Sequence, residues 1–413
     1  MDYSKIARNI TLTLLVAQSL GSVAISVTAT INTIVGAELS GNPSLAGLPG
    51  AVAQIGSGLA AFAIGATMNR TGRRVGLGAG IALGVLGCVI ATLSIIAGNF
   101  IFFLGGLALF GVARAAMQMG RFAAAEVHHP ESRGRAVSYV IFGGVFGSVL
   151  GPQLVGPSGQ LALRANIEEL AGSYIVALLA FGLATAIILT FLRPDPRDVG
   201  RAIARIYPEI ITHQAPARTV LAILRTPTAF LAVVTMVFGQ VIMVGLMGIT
   251  SLYMKGYSYK LSAISLVFSS HTLGMFAFSA LTGKLVDSWG RGPVILAGAG
   301  MLFASCALAP ISSDLVPLSL TLFLLGLGWN FSYIGGSTLL FDVLSPDERA
   351  KTQGANDLLI GLATAFASFT SGIVFAAYGY VVTGIIGALI SLLLLAITSR
   401  WIIEKRQVAT AKR

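Results

Sequence analysis

Apolar residues run along the chain in blocks of about twenty or more, separated by short polar segments rich in Arg, Gly and Pro. A window of about 20 residues, the length of helix that crosses roughly 30 Å of hydrocarbon, predicts twelve helical spans. Six lie near 10–35, 45–68, 75–97, 100–127, 136–157 and 172–192, and six near 228–253, 261–286, 293–311, 317–343, 354–377 and 379–403. The first begins like a secretory leader, with Lys5 and Arg8 ahead of an apolar run. That run reaches Val35 and carries no small-residue cleavage pattern, so it reads as an uncleaved span. The longest polar stretch, Arg193 to Pro227, joins the two sets. Within it Val199, Ala202, Ile203, Ile206, Tyr207, Ile210 and Ile211 keep helical spacing opposite Arg201 and Arg205, which predicts an interfacial helix bent at Pro208.

Composition sharpens this into a fold class. Only 10% of residues are charged, against about 25% in ordinary globular chains, while 55% are apolar. That is more apolar surface than one core can hide, and it excludes a soluble enzyme. The fold class is all-α integral membrane protein, with 49 glycines available for close helix contact. Cys88 and Cys306 both fall inside apolar runs, which argues against a disulfide.

The net charge of +11 raises the question of a nucleic-acid partner, but no basic stripe with interleaved aromatics exists. With both termini cytoplasmic, twenty-two Lys and Arg fall in inner segments and only Arg164, Lys255 and Lys260 in outer loops. This positive-inside bias predicts a multi-pass protein of the cell membrane, its basic side facing anionic membrane lipid, with no nucleic acid bound.

The chain also repeats itself. Gly65-A-T-M-N-R-T-G-R-R follows span two and Gly283-K-L-V-D-S-W-G-R-G ends span eight, an offset of 218. E126-V-H-H-P-E-S-R133 follows span four and D342-V-L-S-P-D-E-R349 follows span ten, an offset of 216. The expected organisation is an N-terminal six-helix bundle (1–192), a cytoplasmic linker (193–227) and a C-terminal six-helix bundle (228–413). A parallel repeat of this kind places solute sites near the midplane between the halves.

The stretch Gly65, Asn69-Arg70, Gly72-Arg73-Arg74 resembles the loop motif G-x-L-x-D-R-x-G-R-R/K of the major facilitator superfamily. Gly283, Leu285, Asp287, Gly290 and Arg291 match its second copy. Asn69 and Thr67 depart from the motif, standing where it has Asp and Leu. Gly147, Gly151-Pro152 and Gly156 in span five are partly similar to the superfamily's antiporter motif, although Ser138 and Val155 replace two of its positions and Gly105 or Gly106 stands where a fourth-helix Arg is expected. The resemblance implies a bacterial-type, monomeric secondary carrier of a small-molecule substrate. It would work by alternating access of two pseudo-symmetric bundles, driven by H+ as symporter or antiporter, without a cofactor. It further implies a gating network of Asn69, Arg70, Arg73, Arg121, Glu126, Asp287, Arg291 and Asp342, in which Asp287 keeps the carboxylate that Asn69 lacks, and a cavity lined by spans one, four, seven and ten.

Ionisable groups at bilayer depth are expensive unless paired or hydrated, so the few present are functional candidates. Arg114 lies mid-span in span four, with Gln118 and Arg121 on the same face. Arg114 is expected to bind substrate, and Arg121, nearer Glu126, to act in a gate or a packing salt bridge. No Asp or Glu lies at mid-depth. His271 in span eight, with an unperturbed pKa near about 6.5, is either the proton-coupling group or a histidine held in a helix interface. Ser22 and Ser26 belong to a polar stripe on span one. With Phe142 and Phe146 of span five, Gln240 and Met243 of span seven, and Trp329, Asn330 and Tyr333 of span ten, they complete the candidate substrate site. A cation, amides and aromatics suit an anionic or aromatic solute. Efflux of hydrophobic drugs by H+ antiport, and a non-transporting assembly factor or sensor of the same fold, are the alternatives. No G-x-x-x-x-G-K-S/T, H-E-x-x-H or Cys/His metal spacing occurs, so neither an enzyme nor an ATP-driven pump is expected.

Overall fold

The computed structural model describes residues 3–129, 132–206 and 218–411. Its helices are α1 (Tyr3–Ser40), α2 (Leu48–Thr71), α3 (Arg73–Ile96), α4 (Phe100–Glu126), α5 (Arg133–Gln153), α6 (Val155–Arg164), α7 (Ala171–Phe191), α8 (Pro196–Ile206), α9 (Val220–Leu224), α10 (Pro227–Gly256), α11 (Leu261–Phe276), α12 (Ser279–Trp289), α13 (Arg291–Leu308), α14 (Leu315–Asp342) and α15 (Pro346–Ala411). Among the described residues, eleven segments are long and apolar enough to cross a membrane. The last, Lys351–Lys405, has 55 residues, about twice what a bilayer takes. Gly379, at φ 77° and ψ −176°, breaks α15 there, and the two pieces are spans eleven and twelve. Span five ends at Gln153, just past Pro152, and the chain resumes as the separate helix α6.

The chain divides into two units, residues 1–212 with 260–265, and residues 213–259 with 266–413. In the first, α4 packs on α2 and α3, α1 on α5 and α7, and α3 on α7. Small residues set these distances. On α5, Gly143, Gly147 and Gly151 recur every four residues, and a Cβ at Gly147 would sit 2.1 Å from the Ser19 carbonyl oxygen of α1. In the second unit α10 packs on α14 and α15, and α13 on both. Ile223, Ala232, Met236, Ile295 and Leu340 form a core there that is shut off from the surface. Large apolar side chains stand outward on both units, Phe62 at 87% and Phe366 at 68% exposure among them, as helices solvated by lipid require.

Part of the joining stretch is helical, as α8, with Val199 and Ile203 buried and Gly200 packed against the Glu126 backbone at the end of α4. Tyr207, Pro208, Ile210 and Ile211 lie outside the described residues, as do the side chains of Arg205 and Ile206.

Candidate functional site

The two repeated turns have one geometry. Gly72 (φ 102°, ψ 166°) and Gly290 (φ 90°, ψ 165°) share a backbone conformation closed to residues with a Cβ. The next residue is Arg in both. Arg73 donates to Glu126 at 2.8 and 2.6 Å and to the Met68 carbonyl at 3.0 Å. Arg291 donates to Asp342 at 2.8 and 3.4 Å and to the Val286 carbonyl at 3.2 Å. The strong partners are therefore the carboxylates at the ends of α4 and α14. Asp287 lies 3.9 Å from Arg291 and is largely exposed, and Asn69 accepts from Arg73 at 3.1 Å. The Asp287 contact is thus the longer and more exposed of the two that Arg291 makes with carboxylates. Among the described residues the Arg70 carbonyl accepts from Arg197 at 3.1 Å, and the Arg121 guanidinium lies 4.9 Å over the Phe122 ring.

Two acidic groups near these turns escaped the sequence reading. Asp195 caps α3, accepting from the backbone N–H of Arg73 and Arg74 at 3.0 Å each, where the dipole and free donors of a helix N-terminus favour an anion. Glu348 reaches back to the Ser345 N–H at 3.0 Å, a capping box readable in S345-P-D-E. It also takes the Arg218 guanidinium at 2.8 Å through each of its two oxygens. The Arg218 guanidinium, with the N–H groups of Ser345 and of Arg218 itself, holds this carboxyl well below the usual carboxylate range.

Within the first unit, Arg114 on α4 is partly buried and makes no hydrogen bond or ion pair with the described residues. Gln118, one turn on, is exposed and equally unengaged. Ser22 and Ser26 face the glycines of α5. The Ser22 Cβ lies 2.8 Å from a Cβ built at Gly147, and that of Ser26 2.8 Å from one at Gly151. Ser19 donates across the same seam to the Gly143 carbonyl at 2.7 Å. Phe142 and Phe146 lie on the exposed flank of α5, edge to face at 5.2 Å.

In the second unit Trp329 stacks on Tyr333 at 4.9 Å and donates its indole N–H to Gln240 Oε1 at 2.8 Å. Phe276 stands edge-on to Trp329 at 6.2 Å, completing an aromatic group that the sequence reading had placed without it. An indole N–H only donates, so the Gln240 amide is turned with its oxygen toward Trp329 and its NH2 outward. Met243, 9% exposed, offers a solute little surface.

Span eight is interrupted between α11 and α12, and a broken helix leaves carbonyls without their usual partners. Asn330 Nδ2 donates to the Met275 carbonyl at 2.6 Å and to Ser279 Oγ at 2.8 Å, while its Oδ1 accepts from Thr282 at 2.6 Å. Both amide protons, and one of the two acceptor positions on the amide oxygen, are engaged at this break. Asn330→Ala is expected to destabilise the protein by about 1–3 kcal/mol, read in a thermal or denaturant melt, since it orphans a buried carbonyl. An unchanged midpoint would show that the break is held by other groups.

His271 sits in the interface of α11 and α14. It is 3% exposed and donates from Nδ1 to the Leu322 carbonyl at 2.9 Å. Its Nε2 is buried and meets no partner among the described residues. That is the geometry of the packing alternative.

Long lipid-facing helices in a parallel repeat, with matched arginine–carboxylate turns, define a multi-pass membrane protein of transporter type. The profile of the Major Facilitator Superfamily matches residues 14–264 and 245–413, and the chain belongs to that family. It is 34% identical to the MFS-type transporter YddS of Bacillus subtilis (strain 168) over 93% of this chain and 88% of that one. It is 30% identical to the riboflavin transporter RfnT of Brucella anthropi over 90% of each chain. Among solved structures it resembles a D-xylose-proton symporter, with a TM-score of 0.70 at 20% identity over 94% of this chain and 96% of that one. The protein is a transporter and not an enzyme.

Proposed function

We propose that this transporter carries a planar aromatic solute bearing an anionic or acceptor-rich group, with both termini and the arginine-rich turns on the cytoplasmic side of the cell membrane. The observation that carries the solute reading is Arg114, a cation within a membrane helix with no partner among the described residues. Such a group is retained against its cost when something anionic or strongly accepting visits it. Two further features support the reading. Gln240 presents amide donors beside stacked rings in the second unit, and RfnT, a relative at 30% identity, is named for riboflavin, a solute rich in ring carbonyls. The orientation rests on the distribution of Lys and Arg between loops.

The test is flux in proteoliposomes, with riboflavin, aromatic carboxylates and a lipophilic cation as probes, each with and without a pH gradient. Uptake or exchange of the first two classes supports the reading, and gradient-driven accumulation tests the proton coupling that family membership suggests. Transport of the cation alone favours drug efflux, and no flux of any probe counts against a carrier of this class. His271→Gln is expected to lower the melting temperature while leaving gradient-driven accumulation intact. Loss of accumulation with exchange preserved would return the coupling role to His271.

A further inference from the structure

At the arginine-rich end of the first unit, α2, α3, α4, α5 and α8 line an open cavity of about 600 Å³. Its lining includes Asn69, Arg73, Glu126, Arg133, Arg197 and Arg201, four guanidinium groups with one carboxylate. Glu126 is already engaged by Arg73 through two charge-assisted bonds. The neighbouring acids are engaged as well. Asp195 accepts from the backbone N–H groups of Arg73, Arg74 and Arg197, and Asp198 from Arg197 Nε at 3.3 Å. Arg197 also fastens α8 to the end of α2 through the carbonyls of Asn69 and Arg70. Arg201, one turn further along α8, is exposed and makes no hydrogen bond or ion pair with the described residues.

The corresponding turn of the second half shows what sets this cavity apart. There the position equivalent to Asn69 is Asp287, so Arg291 faces two carboxylates, Asp287 and Asp342. The first half has a neutral amide at that position and gains Arg197 and Arg201 from α8. Among the described lining residues positive charge is therefore in excess, in a concave space large enough for a small polyanion, with planar guanidinium forks suited to phosphate oxygens.

We propose that this cavity is a binding site for a phosphate-bearing anion, distinct from the solute site of the carrier, with Arg201 as its principal ligand, Arg197 beside it, and Asn69 as the residue that keeps it cationic. The phosphate can come from the headgroup of an anionic lipid or from a free phosphorylated metabolite, and the chemistry of recognition is the same.

The experiment uses the full-length protein purified in detergent with pyrophosphate as the probe, followed by calorimetric titration and by the shift in melting temperature. Pyrophosphate should bind, more weakly as salt rises. Asn69→Asp should weaken binding tenfold or more by placing a carboxylate among the arginines. It keeps the size of the side chain and the acceptor for Arg73, so it should fold as the wild type does. Arg201→Gln, at an exposed position, should weaken it similarly. Absence of pyrophosphate binding to the wild type, or an affinity unchanged in both variants, overturns the proposal. A second arm identifies the source. In nanodiscs of phosphatidylcholine pyrophosphate should bind. Its loss in discs that also contain phosphatidylglycerol, with more of that lipid retained by the wild type than by Arg201→Gln in native mass spectrometry, assigns the site to a lipid headgroup. Equal binding in both discs assigns it to a soluble phosphate compound.

Discussion

Arg114→Ala is expected to weaken binding of the transported solute by more than tenfold while leaving the melting temperature unchanged or raised. The two halves of this expectation have one cause. A guanidinium without a partner loses hydration inside the membrane and recovers little of it from the protein, so removing it relieves a cost to the fold. The same group gives an incoming carboxylate or ring carbonyl a charge-assisted hydrogen bond worth about 1.5–3 kcal/mol, and tenfold in affinity corresponds to about 1.4 kcal/mol. Arg114→Lys should recover part of the binding, because it keeps the charge and loses the planar fork. Solute affinity and thermal midpoint, measured on the same preparations, separate this role from a structural one. A fall in the midpoint with affinity intact would make Arg114 a packing residue, and tight binding of a lipophilic cation, indifferent to the substitution, would sink the anion reading.

The second large effect is expected at the seam of α1 and α5. Gly147→Val should destabilise the protein by at least about 3 kcal/mol, the upper range for overpacking, and abolish a monodisperse peak in gel filtration. The first atom of the new side chain would lie 2.1 Å from the Ser19 carbonyl oxygen, 2.7 Å from the Val23 nitrogen and 2.8 Å from the Ser22 Cβ. Two of these are backbone atoms of a helix and cannot yield alone. The helices must separate, and the close approaches at Gly143 and Gly151 are lost with that at Gly147. Gly182→Ala on α7, where a Cβ meets nothing within 4 Å, is the control. It should be neutral or stabilising, since alanine is the better helix former by about 1 kcal/mol. Equal behaviour of the two variants would mean that the seam is not the tight contact described.

The spans, the repeat and the candidate cation were legible because each leaves a one-dimensional trace: apolar length, an offset of 218 between turns, an arginine inside an apolar run. The packing partners of the other candidates leave no such trace. A row of serines at three- and four-residue steps reads the same whether it lines water or packs on glycines. Ser22 and Ser26 are decided by Gly147 and Gly151, more than a hundred residues away. Asn330 carries the signature of a binding amide, and its hydrogen bonds follow from an interruption at Ala277 and Phe278, where neither Gly nor Pro announces a break. Phe276 escaped notice because it lies on span eight, outside the helices the family resemblance assigns to the cavity. Asp195 sits in a polar segment where a carboxylate is ordinary, and only the fold brings it to the start of α3.

The matched turns carry a record of descent. Across the ten positions from Gly65 to Arg74 and from Gly283 to Gly292 only three residues agree: the opening glycine, the glycine at positive φ, and the arginine after it. The last two are tied to what both turns share, a dihedral angle that a Cβ forbids and a guanidinium bridging to the neighbouring helix end. Gly65 and Gly283 have open space around them, and nothing in either turn explains their persistence. The other seven positions differ between the copies. One has a carboxylate at Asp287 and the other an amide at Asn69, so two corners of one backbone geometry carry different charge.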